Sequence, residues 1–140
     1  MQQHFNAPVE TVFNSLSQHA TFNTVLWPVR FVRIKDAAPP EALDGVGSTR
    51  KMGFGPIKPI LETITKVKPC ELIEYRMEDN PLISHHFGKL EFSGKDNGTR
   101  VTYTIEVESR ISLVGRLVLT QLKWSATRGL AKLNRQLQSL

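Results

Sequence analysis

The chain has 140 residues, 40% hydrophobic and 22% charged, the composition of one globular domain over 1–140 rather than of a disordered segment. Its single cysteine, Cys70, excludes an internal disulfide and a multi-cysteine metal cluster, and no apolar run approaches the roughly 20 residues of a bilayer span. The net charge of +5 resides wholly in the tail, where no acidic residue follows Glu108 and Arg110, Arg116, Lys123, Arg128, Lys132 and Arg135 do.

Residues 1–6 carry neither a basic nor an apolar stretch, so they do not read as a signal peptide. Val9, Val12, Phe13 and Leu16 fall at i, i+3, i+4 and i+7, one face of a helix. Pro8 suits its first position and Glu10 its first turn. A shorter helical piece is predicted over 19–23. Trp27-Pro28 ends it, because a residue before proline is pushed out of the helical region. The period then becomes two, and strands are predicted over 29–35, 46–52, 60–67, 72–78, 83–92 and 101–108. A Pro- and Gly-bounded loop spans 36–45, and turns fall at Gly53-Phe54-Gly55-Pro56, Lys68-Pro69-Cys70-Glu71 and Asp79-Asn80-Pro81. Asp96-Asn97-Gly98 is the strongest hairpin signal, since type I′ turns need positive φ at both central residues. From Leu113 the period returns to 3.6. Leu119, Leu122, Ala126, Leu130, Leu133, Leu137 and Leu140 form one apolar stripe on a helix about 40 Å long. Gly115 and Gly129 weaken that helix locally.

Links this short hold no crossover helix, so the strands are antiparallel neighbours. A helix about 10 Å across covers less than half of six strands spaced about 4.8 Å apart. The sheet must therefore curl around the helix, which leaves space for an apolar cavity between them. The expected class is α+β: a curved antiparallel sheet wrapped around a long C-terminal helix, with two short helices near the N-terminus.

Several segments resemble one known family in the right order. Asn6-Ala7-Pro8-Val9-Glu10-Thr11-Val12-Phe13 is similar to its opening Ala-Pro motif, and Trp27-Pro28-Val29 to its Trp-Pro-x-Val. Gly45-Val46-Gly47-Ser48 is similar to its Gly-x-Gly strand entry, and Glu62-Thr63-Ile64-Thr65 with Lys68-Pro69 to its Glu-x-Val stretch and Pro turn. Gly98-Thr99-Arg100-Val101-Thr102-Tyr103 and Leu130-Ala131-Lys132-Leu133 match its closing motifs, with Tyr103 where Trp is usual. Together they resemble the helix-grip fold of the START and birch-pollen-allergen superfamily. Within it they resemble the polyketide cyclase/dehydrase and lipid-transport group, often labelled SRPBCC. The resemblance spans nearly the whole chain and implies fold, not activity, since such folds host transporters, cyclases, hormone receptors and chaperone activators. Such domains usually open with a full strand; here only residues 1–6 precede the Ala-Pro motif, so that strand is short or incomplete.

His85 and His86 adjoin, and alternation puts them on opposite faces of a strand, so they do not share a metal. Counting back from Leu90 and Phe92 places His86 and Gly88 on the apolar side, unless a bulge at Gly88 swaps them. His86 is then a cavity acid, base or donor, or a satisfied structural histidine. Glu62 shares a face with Ile60 and Ile64, yet the opposite face, with Leu61, Thr63, Thr65 and Val67, is nearly as apolar. The pattern leaves both orientations open. Turned inward, Glu62 needs a partner, which Arg50 on the preceding strand supplies. Tyr75 and Tyr103 point inward, either to orient a phenolic or keto ligand or as core residues with one hydrogen bond. The catalytic candidates are therefore His86 and Glu62, and the ligand-binding candidates Arg50, Tyr75, Tyr103 and His86. No cofactor or metal is expected: no His-x-His or His-Glu-x-x-His spacing occurs. Gly45-Val46-Gly47 and Gly53-Phe54-Gly55 lack the rest of a nucleotide loop, and no Gly-x-Ser-x-Gly elbow is present. Cys70 reads as an ordinary surface thiol.

The expected function is binding of a hydrophobic small molecule (lipid, isoprenoid or aromatic polyketide) in the cavity, with the 36–45 loop as entrance. The alternative is a cyclase, aromatase or dehydratase using cavity acid–base groups. The basic tail has one aromatic, Trp124, and no nucleic-acid motif; neither nucleic-acid binding nor stable membrane insertion is expected, and the chain is a monomer or homodimer. A cytoplasmic location fits the single cysteine. Trp124 lies about 160° from the centre of the leucine stripe, on the side of Leu117, Ala131, Arg128 and Arg135, and is expected to face outward.

Overall fold

The computed structural model describes residues 1–54, 57–78 and 80–138, the side chains of 54 and 57–59 excepted. In chain order the elements are β1 (Gln2–Phe5), α1 (Val9–Leu16), a 3₁₀ turn (His19–Thr21), α2 (Phe22–Val25), β2 (Arg30–Lys35), β3 (Thr49–Phe54), β4 (Ile57–Lys68), β5 (Leu72–Met77), β6 (Ile83–Lys95), β7 (Gly98–Ser109) and α3 (Ser112–Gln138). The strands form one antiparallel sheet in the order β1-β7-β6-β5-β4-β3-β2. It curves around α3, which packs against β7, α2 and β1, while α1 packs against β6 and β7.

The first strand does form. Gln2 pairs with Thr102 and Phe5 with Thr99, and Phe5 is fully buried. Only Gly98 lets β1 come this close, because a Cβ there would overlap the Phe5 carbonyl oxygen. The hairpin turn centres on Asp96 and Asn97, at φ 51° and 64°, while Gly98 already pairs with Lys95 in the ladder. Pro8 caps α1 in an extended conformation instead of occupying its first turn, and its carbonyl accepts the Val12 N–H at 3.1 Å. The third strand begins at Thr49, later than the alternation implied, because Gly47 turns the chain at φ 91°. Its backbone stays tied to β4: Gly47 N–H donates to Ile64 O at 2.9 Å, and Ile64 N–H to Ser48 O at 3.0 Å. Of the turn expected at 53–56, Gly53 and Phe54 belong to β3, and Gly55 and Pro56 lie outside the described residues, as do Asp79 and Leu140. Asn80 Oδ1 accepts the N–H groups of Leu82 and Ile83, an Asx turn that starts β6.

The core lies between the concave face of the sheet and α3. From α3, Leu122, Ala126, Leu130 and Leu133 are buried, and Leu119 and Leu137 half-buried. Gly129 is a contact point and not merely a weak point. A Cβ there would overlap the Val25 carbonyl, so its absence lets α2 lie directly on α3.

Candidate functional site

Strand register assembles the site. Arg50 on β3 pairs with Glu62 on β4, Tyr75 on β5 with Gly88 on β6, and His86 with Val107 on β7. Gly88 keeps register, and the ladder's irregularity falls earlier, between Ile83 and His85. His86 is therefore buried on the concave face, while His85 bonds Glu106 on the convex face. A Cβ at Gly88 would overlap the Tyr75 ring, so the glycine is the floor on which that ring lies.

Glu62 turns inward and is 1% exposed, as is Arg50. Its Oε1 accepts from Arg50 Nε at 2.9 Å, and its Oε2 pairs with His86 Nε2. Burial alone would push the Glu62 carboxyl up; Arg50 and then His86 more than offset this and hold it below its ordinary range. The Arg50 guanidinium carbon also sits 4.6 Å from the Phe22 ring centroid and 4.7 Å from those of Phe31 and Tyr75. Three aromatic rings thus surround the buried cation. Even so, Arg50 Nη2 is buried with no hydrogen-bond partner among the described residues. The Tyr75 and Tyr103 hydroxyls bond each other. Burial raises both, Tyr75 well above a normal phenol.

Two cavities flank this cluster. The loop-side cavity, about 700 Å³, is lined by α1, the 3₁₀ turn, residues 41–45 and the β4–β5 hairpin, with Phe13, Phe22, Ile64 and Ile73 as apolar wall and Arg50 and Tyr75 as polar wall. The helix-side cavity, about 580 Å³, lies between the sheet and the first half of α3, with Met52, Ile83, Val107 and Leu122 around His86. Glu62 bonds one residue in the wall of each. Tyr103 lines neither and reaches the loop-side wall only through its bond to Tyr75.

A polar group absent from the sequence reading forms part of the loop-side cavity wall. His19 is buried, and its Nε2 shares a 3.2 Å hydrogen bond with Ser48 Oγ. Asp44 accepts the His19 backbone N–H at 2.9 Å and pairs with Arg33, tying the 41–45 segment to the 3₁₀ turn. Burial and then Arg50 lower His19 to about 4, Asp44 offsetting only part of this, so the ring is neutral at physiological pH. The Ser-His-Asp order is not a hydrolytic triad: His19 Nδ1 lies 3.7 Å from Asp44 Oδ1, and Ser48 is fully buried and does not line the cavity. The three residues come from a turn, a loop and a strand entry, and no local spacing links them. Among the described residues, no group of three or more His, Cys, Asp or Glu side chains could hold a metal ion.

A curved seven-stranded antiparallel sheet gripping one long helix is the helix-grip fold of START-like and birch-pollen-allergen-like proteins. Solved structures with this architecture include the Zhui aromatase/cyclase from Streptomyces sp. R1128 (TM-score 0.75, 11% identity, covering 97% of this chain and 90% of that one). A START superfamily protein from Mycobacterium smegmatis is similar at TM-score 0.74 and 10% identity, covering 98% and 96% of the two chains. A protein from Thermus thermophilus is similar at TM-score 0.72 and 17% identity, covering 99% and 95%. No curated protein sequence matches. The chain belongs to the polyketide cyclase/dehydrase and lipid transport family, whose sequence profile matches residues 1–138.

Proposed function

We propose that the protein binds one hydrophobic small molecule carrying an oxygen acceptor, in the loop-side cavity, with that oxygen on Arg50. The observation that carries this is Arg50, a residue of the mostly apolar cavity wall whose buried Nη2 has no hydrogen-bond partner among the described residues. An unmade hydrogen bond there costs about 1–3 kcal/mol, which a carboxylate, phenolate or carbonyl oxygen of a bound molecule would recover. Lipid acids, isoprenoid quinones and aromatic polyketides all have this chemistry. Residues 41–45, latched by Asp44, are the entrance. A cytoplasmic setting suits the single free thiol, Cys70.

The test is displacement of 1-anilinonaphthalene-8-sulfonate by anthracene-9-carboxylate and by its methyl ester. Wild type should bind one dye per chain and prefer the acid. Arg50→Met should lose roughly 10- to 100-fold in affinity for the acid, the worth of a hydrogen bond to a charged group, and little for the ester. An acid preference untouched by Arg50→Met refutes the assignment.

A second reading, aldol closure and water loss on a poly-keto chain, draws on His86, which reaches the helix-side cavity while bonded to Glu62. It is weaker, because both Glu62 oxygens are already engaged and Tyr75 is a poor acid at neutral pH. Turnover abolished by Glu62→Gln in a folded protein would favour it.

A further inference from the structure

We propose that the outer face of α3, together with Trp27, docks on an anionic phospholipid surface. On this helix Leu113, Leu117 and Trp124 are 64%, 63% and 58% exposed, and at about 100° per residue they fall within roughly 40° of one another. Trp27, 55% exposed, joins them from the turn after α2. The Arg128 guanidinium bridges the two indoles, 4.3 Å from the Trp124 ring centroid and 5.5 Å from that of Trp27. Arg116 and Lys123 flank the apolar stripe on one side and Arg128 and Lys132 on the other, all exposed. From residue 109 onward the chain has no acidic residue.

Charge selects the occupant. A second copy packed face to face by a two-fold axis would oppose these cations to themselves. Nucleic acid would satisfy the cations and leave four large apolar side chains without a counterpart. A bilayer rich in anionic lipid supplies phosphates for the cations and an apolar layer just beneath for Leu113, Leu117 and the indoles. Indoles favour that boundary, and Lys and Arg stems cross it with their charges in the headgroups. Among the described residues no helix is long and apolar enough to cross a membrane, so the contact is peripheral. Leu117 also lines the helix-side cavity, so docking would set that cavity's edge against the lipid. Docking does not rest on the ligand reading, which concerns the loop-side cavity.

The chain has two tryptophans, and both lie on this face, so its fluorescence reports docking directly. Full-length protein is mixed with phosphatidylcholine vesicles and with vesicles containing phosphatidylglycerol, each with and without brominated acyl chains. Docking gives partitioning onto the phosphatidylglycerol vesicles, quenching by the brominated lipid and weakening at high salt. Each cation near an anionic surface contributes roughly fivefold, so Lys123→Gln/Arg128→Gln should lower partitioning about 25-fold. Trp124→Ala should lower it about tenfold, with Trp27 still reporting. These side chains are exposed, so melting temperatures should hold; Arg116→Gln/Lys123→Gln repeats the charge test should the first variant fold poorly. The proposal is overturned by equal binding to both vesicle types, by partitioning that ignores the charge variants, or by indole burial that depends on protein concentration without lipid, which would make the occupant a second copy.

Discussion

Glu62→Gln gives the sharpest test of the buried cluster. The carboxylate is 1% exposed and holds Arg50 through a 2.9 Å bond on one oxygen and His86 on the other. Removing its charge leaves the Arg50 guanidinium buried, with three aromatic faces and a neutral amide for company. Breaking a buried pair from one side costs about 3–5 kcal/mol, whereas exchanging both partners for apolar side chains of similar size is often close to neutral. Glu62→Gln and Arg50→Met should therefore each destabilise by roughly that amount. Arg50→Met/Glu62→Leu should lose far less than their sum, retaining about 1–3 kcal/mol of loss because His86 then lacks its partner. Urea unfolding followed by far-ultraviolet circular dichroism measures wild type, these three variants and Glu62→Leu, the single change that closes the cycle with Arg50→Met. If Glu62→Gln costs under about 1 kcal/mol, or Arg50→Met and Glu62→Leu add to within about 0.5 kcal/mol, the three side chains do not share one charge network.

His19 and Glu62 set the acid limb of stability. The unfolded chain protonates His19 near 6.5 and the folded one only near 4, so over that window the unfolded state holds more protons and stability rises with pH, being lost as the solution is acidified from 6.5 to 4. The gap is worth about 3 kcal/mol at most, and nearer half of that after screening by solvent at the cavity mouth. His19→Gln should flatten the curve between these values. Glu62, held below 4.5, contributes stability above that value that is lost as pH falls through its lower folded pKa, so a steeper loss should remain below 4.5 in the same variant. Gly129→Ala, favourable by about 1 kcal/mol on a free helix face, should destabilise because its methyl meets the Val25 carbonyl; thermal melts decide the sign. Gly88→Ala should displace the Tyr75 ring and break its bond to Tyr103, visible as shifted aromatic resonances and a weaker response to anthracene-9-carboxylate.

Alternation and short links made the antiparallel order from β2 to β7 readable, and the count back from Phe92 put His86 on the concave face. Glu62 was undecidable by the same rule, because Leu61, Thr63, Thr65 and Val67 read as a second face nearly as apolar; the irregularity between Ile64 and Lys66 turns Val67 back to the Ile64 side, opposite Ile73, and the orientation of Glu62 follows from Arg50 directly across the ladder. β1 has four residues, too few to show a period, and what fixes it is the missing Cβ of Gly98. Gly88 and Gly129 read as a possible bulge and a weak point, because the atoms they make room for come from distant parts of the chain. The His19–Ser48–Asp44 group left no trace for the same reason. Among the described residues the sheet–helix space holds more than one cavity, and Arg50 and His86, both joined to Glu62, line different ones.

Native mass spectrometry of the freshly purified protein, bare and after incubation with anthracene-9-carboxylate, reads the occupancy of the loop-side cavity. The expected spectrum shows one added small molecule per chain, retained from purification or loaded from the probe, with loading by the probe lost in Arg50→Met. A bare chain under both conditions, or loading unaffected by Arg50→Met, would mean that Arg50 anchors no ligand in this cavity.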